Sequence, residues 1–284
     1  MNERRAFFRE LASAAREARK ATQMPEPPPS RAPVPEPLSD DAAERYSRQL
    51  VLPEWSEAAQ LALREASVLV IGAGALGSPV ATYLAGAGVG RLGIVDDDDV
   101  EVSNLPRQHL HFTPDVGVPK AESAAAKLRF LNPDIVIEPY QVRVGADNAP
   151  ALLEGQDLIV DCSDSFATRY VVNAACCAAR VPLVEAGVLG MSGLVMSIKP
   201  GRTACYRCAF PAPPRDAPRC ADEGVLGPVA GVIGSLQALE ALKLLAGLEG
   251  ALLDAFLQVD LHEHGFVRVA VGRRPGCPDC GGVQ

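Results

Sequence analysis

Two pairs of cysteines and one run of glycines carry the most specific chemistry in this chain. Cys205-Tyr-Arg-Cys208 and Cys277-Pro-Asp-Cys280 are C-x2-C pairs, each in a turn-prone context. Together they offer the four thiolates of a closed tetrahedral Zn2+ site. Paired disulfides compete with that assignment, but a chain without an export signal is expected in a reducing compartment, where thiols persist. With every ligand position taken by sulfur, none remains to activate water, so the metal is expected to staple the C-terminus to the body and not to catalyse. The glycines Gly72, Gly74 and Gly77 follow the apolar run Val68-Leu-Val-Ile71 and precede Ser78-Pro79. A strand, a tight turn and a helix start in that order let backbone N–H groups and the positive helix end approach a phosphorylated ligand. A nucleotide is the first expectation, although a helix packed closely on a strand can show the same glycines.

Several polar residues are spaced to serve such a ligand. Asp96 ends a second apolar run about twenty residues past the last glycine, where an acid that binds ribose is expected. Its neighbours Asp97, Asp98 and Asp99 are read as a solvated loop. In Ser103-Asn-Leu-Pro-Arg-Gln108, Asn104 and Arg107 share one face if the segment is helical, and Lys120 opens a helix after Gly-Val-Pro. With Arg48 they form a set of cations able to neutralise charge as pyrophosphate departs; surface salt bridges are the plainer account of the same residues. Asp164, in Asp161-Cys-Ser-Asp164, suits a Mg2+ ion or a helix cap. Cys220 follows a proline-rich stretch and neighbours Arg219, so it is a candidate nucleophile and equally an inert loop thiol. Cys162, Cys176 and Cys177 sit among apolar residues and read as core.

The elements that must hold these residues alternate. Strands are expected at 68–71, 91–96, 135–137, 158–161 and 182–186, and helices at 79–87, 120–131 and 168–179, with an earlier one carrying Trp55 and running to about residue 66. Such alternation gives an α/β fold, a Rossmann-like and mainly parallel sheet whose ligand crevice lies at the carboxyl ends of its strands. Beyond Gly187 the rhythm changes to antiparallel additions at 193–198, 255–260 and 266–271, with a long helix over 229–246 between them. Three segments follow: a helical extension over 1–24, a Pro-rich linker over 25–38, and one domain over 39–284.

The chain has 284 residues, 48% hydrophobic and 5% aromatic, with a net charge of −8. The acidic balance gives no general reason to bind nucleic acid or an anionic membrane. No uninterrupted apolar stretch reaches the span of a bilayer. The Arg4-Arg5 start is followed by charges where an export signal needs an apolar core, so a cytoplasmic protein is expected.

Taken in order, Arg45-Tyr-Ser-Arg-Gln49, the glycine turn, Val95-Asp96, Ser103 to Gln108, Val118-Pro-Lys120, Asp161 to Asp164, both C-x2-C pairs and Gly231-Val-Ile-Gly-Ser-Leu-Gln237 resemble the MoeB/ThiF family, from about Arg45 to Cys280. That resemblance implies adenylylation, with ATP and Mg2+, of the C-terminal Gly-Gly carboxylate of a ubiquitin-like sulfur carrier of MoaD or ThiS type. It implies that Gly72, Gly74 and Gly77 shape the nucleotide site and that Asp96 holds the ribose. Asn104, Arg107 and Lys120 would contact phosphates, Asp164 would hold Mg2+, and Arg48 would reach into the second subunit of a homodimer. Cys220 matches the position of a cysteine that bonds covalently to its carrier in one branch of the family. No sulfurtransferase domain follows Cys280, so a separate sulfur donor is expected. The rivals are an NAD-dependent dehydrogenase, which would share the glycines and Asp96 but has no use for the cation cluster; an inactive relative; and a family member that activates a tRNA base or a peptide.

Overall fold

A computed structural model describes residues 36–213 and 224–282. The expected extension and most of the linker, and Cys220, lie outside the described residues. Helices α1 (Asp40–Arg45), α2 (Ser47–Leu50) and α3 (Glu57–Glu65) lead in. The Ser56 hydroxyl accepts from the Ala59 N–H and caps α3, so Trp55 precedes that helix and does not ride on it. There follow β1 (Ser67–Ile71), α4 (Gly77–Ala87), β2 (Arg91–Val95), α5 (Lys120–Leu131), β3 (Val136–Tyr140), α6 (Ala149–Leu153), β4 (Leu158–Asp161), α7 (Phe166–Ala179), β5 (Leu183–Leu189) and β6 (Ser192–Ile198). The chain closes with α8 (Tyr206–Ala209), α9 (Gly227–Ala246), β7 (Ala255–Asp260) and β8 (Gly265–Ala270).

The strands form one sheet in the order β3-β2-β1-β4-β5-β6-β7-β8. The first five are parallel, and β6 to β8 extend the sheet antiparallel. The strand order reverses between β1 and β4, and a ligand crevice belongs outside the carboxyl ends at such a switch point. Every residue of β1 is buried, as a central strand covered on both faces requires.

One core lies under α3, α4, α5 and α9, and a second packs α6 and α7 with the cysteines against the opposite face. Helix α9 is the long helix expected over 229–246, begun two residues earlier at Gly227. Among the described residues it is the helix long and apolar enough to cross a bilayer. In the fold it packs on α3, α4, β5 and β6. Its buried Gln237 donates to the Asp161 carbonyl at 2.7 Å, and its buried Glu240 accepts from Ser197 Oγ at 2.7 Å and from the Leu252 N–H. These polar groups are satisfied inside the protein, which identifies a core helix.

Candidate functional site

The glycine turn is built by close approach. Gly72 has φ +95°, and a Cβ there would lie 2.9 Å from the Cys162 carbonyl oxygen at the end of β4. At Gly77, the first residue of α4, a Cβ would lie 1.9 Å from the Gly72 carbonyl oxygen. No side chain caps α4, whose Ser78 N–H donates to the Gly74 carbonyl at 2.9 Å and whose Pro79 has no N–H, and the positive end of the helix faces the space beyond the turn. That space is a cavity of about 830 Å³ at the switch point, lined by Gly72, Gly74, Asp96, Arg107, Lys120, Asp164 and others.

Asp96 holds the turn from the side. Its Oδ2 accepts from the Ala73 N–H at 2.7 Å and its Oδ1 from the Asp98 N–H at 2.9 Å. Burial raises its pKa above the ordinary aspartate value, against these N–H groups and Lys120, which lower it. Lys120, nearly buried, donates to Asp98 Oδ2 at 2.7 Å. Asp98 was expected only to be solvated; instead it anchors the cation, a pairing across 22 residues that the aspartate run did not disclose. Arg107 reaches the cavity while its Nη1 donates to the Ser103 carbonyl at 2.8 Å.

Asn104 points elsewhere. Its Oδ1 accepts from the Glu101 N–H at 3.1 Å, closing a 3-10 turn over Val102–Asn104, and it does not line the cavity. The single turn replaces the helix expected to put Asn104 and Arg107 on one face. Arg48, on α2, is exposed and is also absent from the cavity wall. Asp164 lines the cavity, exposed, and Ser165 occupies the cap position of α7, so a capping role for Asp164 falls away.

Other residues at the site had no role assigned from sequence. Gln108 lines the cavity with a buried Oε1 that has no partner among the described residues. His111, buried, places Nε2 2.9 Å from the Ala73 carbonyl and Nδ1 2.8 Å from Ser123 Oγ. Only an N–H can bond a carbonyl, so the proton is on Nε2 and Nδ1 accepts from Ser123. Burial lowers the pKa of His111, keeping the ring neutral. Arg169 lines the cavity and forms a buried group with Glu185 and Asp161 behind it, its Nε 3.2 Å from Glu185 Oε1. Burial, reinforced by the charge of Asp161, pushes the Glu185 carboxyl well up. A lone Glu185 in the apolar run Pro182-Leu-Val-Glu-Ala and a lone Arg169 in the helix α7 were the available signals: isolated charges in buried segments must find each other.

The four cysteines converge. All are buried, with Cys205 Sγ 3.8 Å from Cys208 Sγ and 3.7 Å from Cys277 Sγ, and Cys208 Sγ 3.4 Å from Cys280 Sγ. A tetrahedron with metal–sulfur bonds of about 2.3 Å has sulfur–sulfur edges of about 3.8 Å, whereas a disulfide is about 2.05 Å. The cluster therefore fits zinc. Arg207 bridges the two C-x2-C turns, donating to Asp279 Oδ2 at 2.8 Å, and Asn173 of α7 donates to the same oxygen at 2.7 Å. Asp96, Asp97 and Asp98 also stand close enough together to hold a metal. Two of these three carboxylates already serve N–H and Lys120 donors.

Comparison with known proteins agrees with this geometry. The ThiF family model matches residues 46–279. Adenylyltransferase and sulfurtransferase MOCS3 of Sus scrofa is 49% identical over 86% of this chain and 54% of its own length. The chain thus spans about half the length of that curated relative. Sulfur carrier protein adenylyltransferase of Thermus thermophilus is 46% identical over 84% of this chain and 90% of its own length. The solved structure of E. coli MccB with MccA-N7isoASN has a TM-score of 0.77 at 26% identity, covering 87% of this chain and 77% of that one.

Proposed function

The chain belongs to the ThiF family, and we propose that it adenylylates the C-terminal Gly-Gly carboxylate of a ubiquitin-like sulfur carrier protein, with ATP as the nucleotide and pyrophosphate as the leaving group. The observation that carries this is the cavity at the β1/β4 switch point, where an uncapped helix start, Asp96, Arg107 and Lys120 meet. A nicotinamide-dependent hydride transfer would leave both cations without a task. The 46% identity to a sulfur carrier protein adenylyltransferase, against 26% to MccB, favours a sulfur carrier as the acceptor.

In this mechanism the turn at Gly72, Gly74 and Gly77 and the positive N-terminal end of α4 receive the phosphates. Asp96 accepts from the ribose hydroxyls; each of its oxygens has one lone pair beyond those already engaged. The carrier carboxylate is a nucleophile as it stands, so attack on the α-phosphorus needs positioning and charge stabilisation and no general base. Arg107 and Lys120 stabilise the charge that grows on the departing pyrophosphate, with Lys120 turning from Asp98 toward it. Asn104 acts from behind, fixing the turn from which Arg107 projects. Asp164 fits a Mg2+ ligand because it is an exposed carboxylate on the cavity wall; Mg2+, when bound, supplies further charge neutralisation at the phosphates. Arg48 is exposed and outside its own chain's cavity wall, which supports its acting in the cavity of a second copy in a homodimer. Zn2+ in the four-cysteine cluster is structural. Every cysteine among the described residues is buried, which supports a separate sulfur donor.

Pyrophosphate exchange into ATP by the purified protein, with each candidate Gly-Gly carrier added in turn, tests this. Exchange with one carrier is the expected result and identifies the pathway. ATP binding without exchange for any carrier would overturn the proposal and redirect attention to a peptide or tRNA acceptor.

A further inference from the structure

The two halves of the cavity differ in chemistry. Gly72 follows β1, Asp96 follows β2, and Asp98, Arg107 and Lys120 come from the chain beyond β2, so that half is charged. The other half is walled by β5, β6, β7 and the segment around α8, and none of its described lining residues, from Gly187 onward, carries a charge. With strands about 4.8 Å apart, the order β1-β4-β5-β6-β7 carries this wall about 19 Å from the glycine turn.

One face of the sheet supplies the apolar half. Leu194 of β6 stands opposite Gly187 of β5 and Gln258 of β7, and Phe256 lies two residues before Gln258, on the same face. The other face of these strands carries Val195 and Val259, buried in the core beneath α9. Leu194, Phe210 and Phe256 are each half-buried, and the rings of Phe210 and Phe256 lie 5.5 Å apart. Gly187 keeps the floor beside Leu194 low, since a Cβ there would lie 2.9 Å from Arg169 Nη1.

A nucleotide does not fill this half. Asp96 after β2 and the glycine turn after β1 set ribose and phosphates in that order, which directs the base toward β3, where Val142 and Val144 line the cavity. The phosphates end near Asp164, after β4, and the apolar half lies beyond them. A carboxylate that attacks the α-phosphorus from that side arrives across β5, β6 and β7. From β4, β6 is about 10 Å away and β7 about 14 Å. An extended chain advances about 3.4 Å per residue, so the fourth residue from its end then lies over Leu194, Phe210 and Phe256.

We propose that the apolar half receives the extended C-terminal tail of the carrier and selects tails with a bulky apolar side chain at the fourth residue from the end, one residue ahead of the Gly-Gly pair. This rests on the adenylylation reading for the direction in which the tail runs. It makes Leu194 a specificity residue, seated against the tail and remote from the phosphates.

The test uses three decapeptides that end in Gly-Gly and differ only at the fourth residue from the end, which is Leu, Ser or Asp. Their affinity for the full-length protein is measured with an ATP analogue whose α,β bridge cannot be cleaved, so that binding is read without reaction. The Leu peptide should bind about tenfold more tightly than the Ser peptide, and more tightly still than the Asp peptide. Leu194→Ser should bring the Leu and Ser peptides within about twofold of each other and leave the affinity for the analogue as it was. Gln258→Arg, at an exposed position where the fold is not at risk, should instead improve the Asp peptide several-fold. Equal affinities of the three peptides for the parent chain, or no binding by any, would overturn the proposal. So would a Leu194→Ser chain that loses the nucleotide and keeps the peptide preference, since the base would then occupy this half. Peptides that discriminate as expected, in a protein that exchanges no pyrophosphate with any Gly-Gly carrier, would remove the adenylylation reading and leave the tail preference standing.

Discussion

The two sides of the cavity are built by different means. On the glycine side the backbone sets the geometry: Gly72 and Gly77 allow contacts that no side chain permits, and strand order brings Ile71 and Asp161 side by side. On the cysteine side, residues 72 positions apart are drawn together by four sulfurs and the bridge from Arg207 to Asp279. A backbone-built site tolerates polar substitutions without unfolding, because its shape does not depend on them. A site built from side chains loses shape with chemistry.

The largest contrast should appear at Lys120. Lys120→Ala is expected to cut adenylylation roughly 100- to 1000-fold, as loss of one donor to a developing charge does, with the melting temperature almost unchanged; near-normal pyrophosphate exchange would remove Lys120 from the mechanism. Gly77→Ala attacks the backbone itself, driving a Cβ into the Gly72 carbonyl, and should cost about 3 kcal/mol or more along with ATP affinity. A stable variant that still binds ATP in a urea titration would mean that the turn adapts. Cys280→Ser should remove zinc and destabilise by about 2 kcal/mol, or roughly 5 °C, less than in a free zinc finger because Arg273 also holds the Cys280 carbonyl and Arg207 holds Asp279. Undiminished zinc by elemental analysis would count against the four-thiolate site.

The smallest effect belongs to His111, which ties the glycine turn to α5 by side-chain bonds and so blurs the contrast. Its folded-state pKa lies below the ordinary 6.5, so the unfolded chain takes up the proton first and stability falls as pH drops below about 6.5. His111→Gln should flatten that slope by about 1 kcal/mol between pH 6.5 and 5.5. Parallel stability curves for the two proteins, from denaturant melts across this range, would show that the imidazole titrates alike in both states.

Among the described residues periodicity located every strand and the five longest helices, because each buried element repeats its apolar residues at its own spacing, and it missed the short helices α1, α2, α6 and α8, each six residues or fewer. Boundaries moved where local chemistry intervened: α3 starts at its Ser56 cap, and β3 runs to Tyr140 instead of stopping at Ile137. The residues of the candidate site were legible wherever a motif is contiguous, as in the glycine turn and the C-x2-C pairs. Asp98, His111, Arg169 and Glu185 were not, since each acts through a partner distant in the chain.

By itself, the sequence determined which residues could accept phosphate charge and which could ligate zinc, because donor type and short spacing are properties of the chain. Tertiary structure decided the partners. It gave Lys120 to Asp98, turned Asn104 inward, and set Arg169 against Glu185. Those choices follow from strand order and burial: a buried charge must be compensated, and only the folded sheet fixes which opposite charge is within reach.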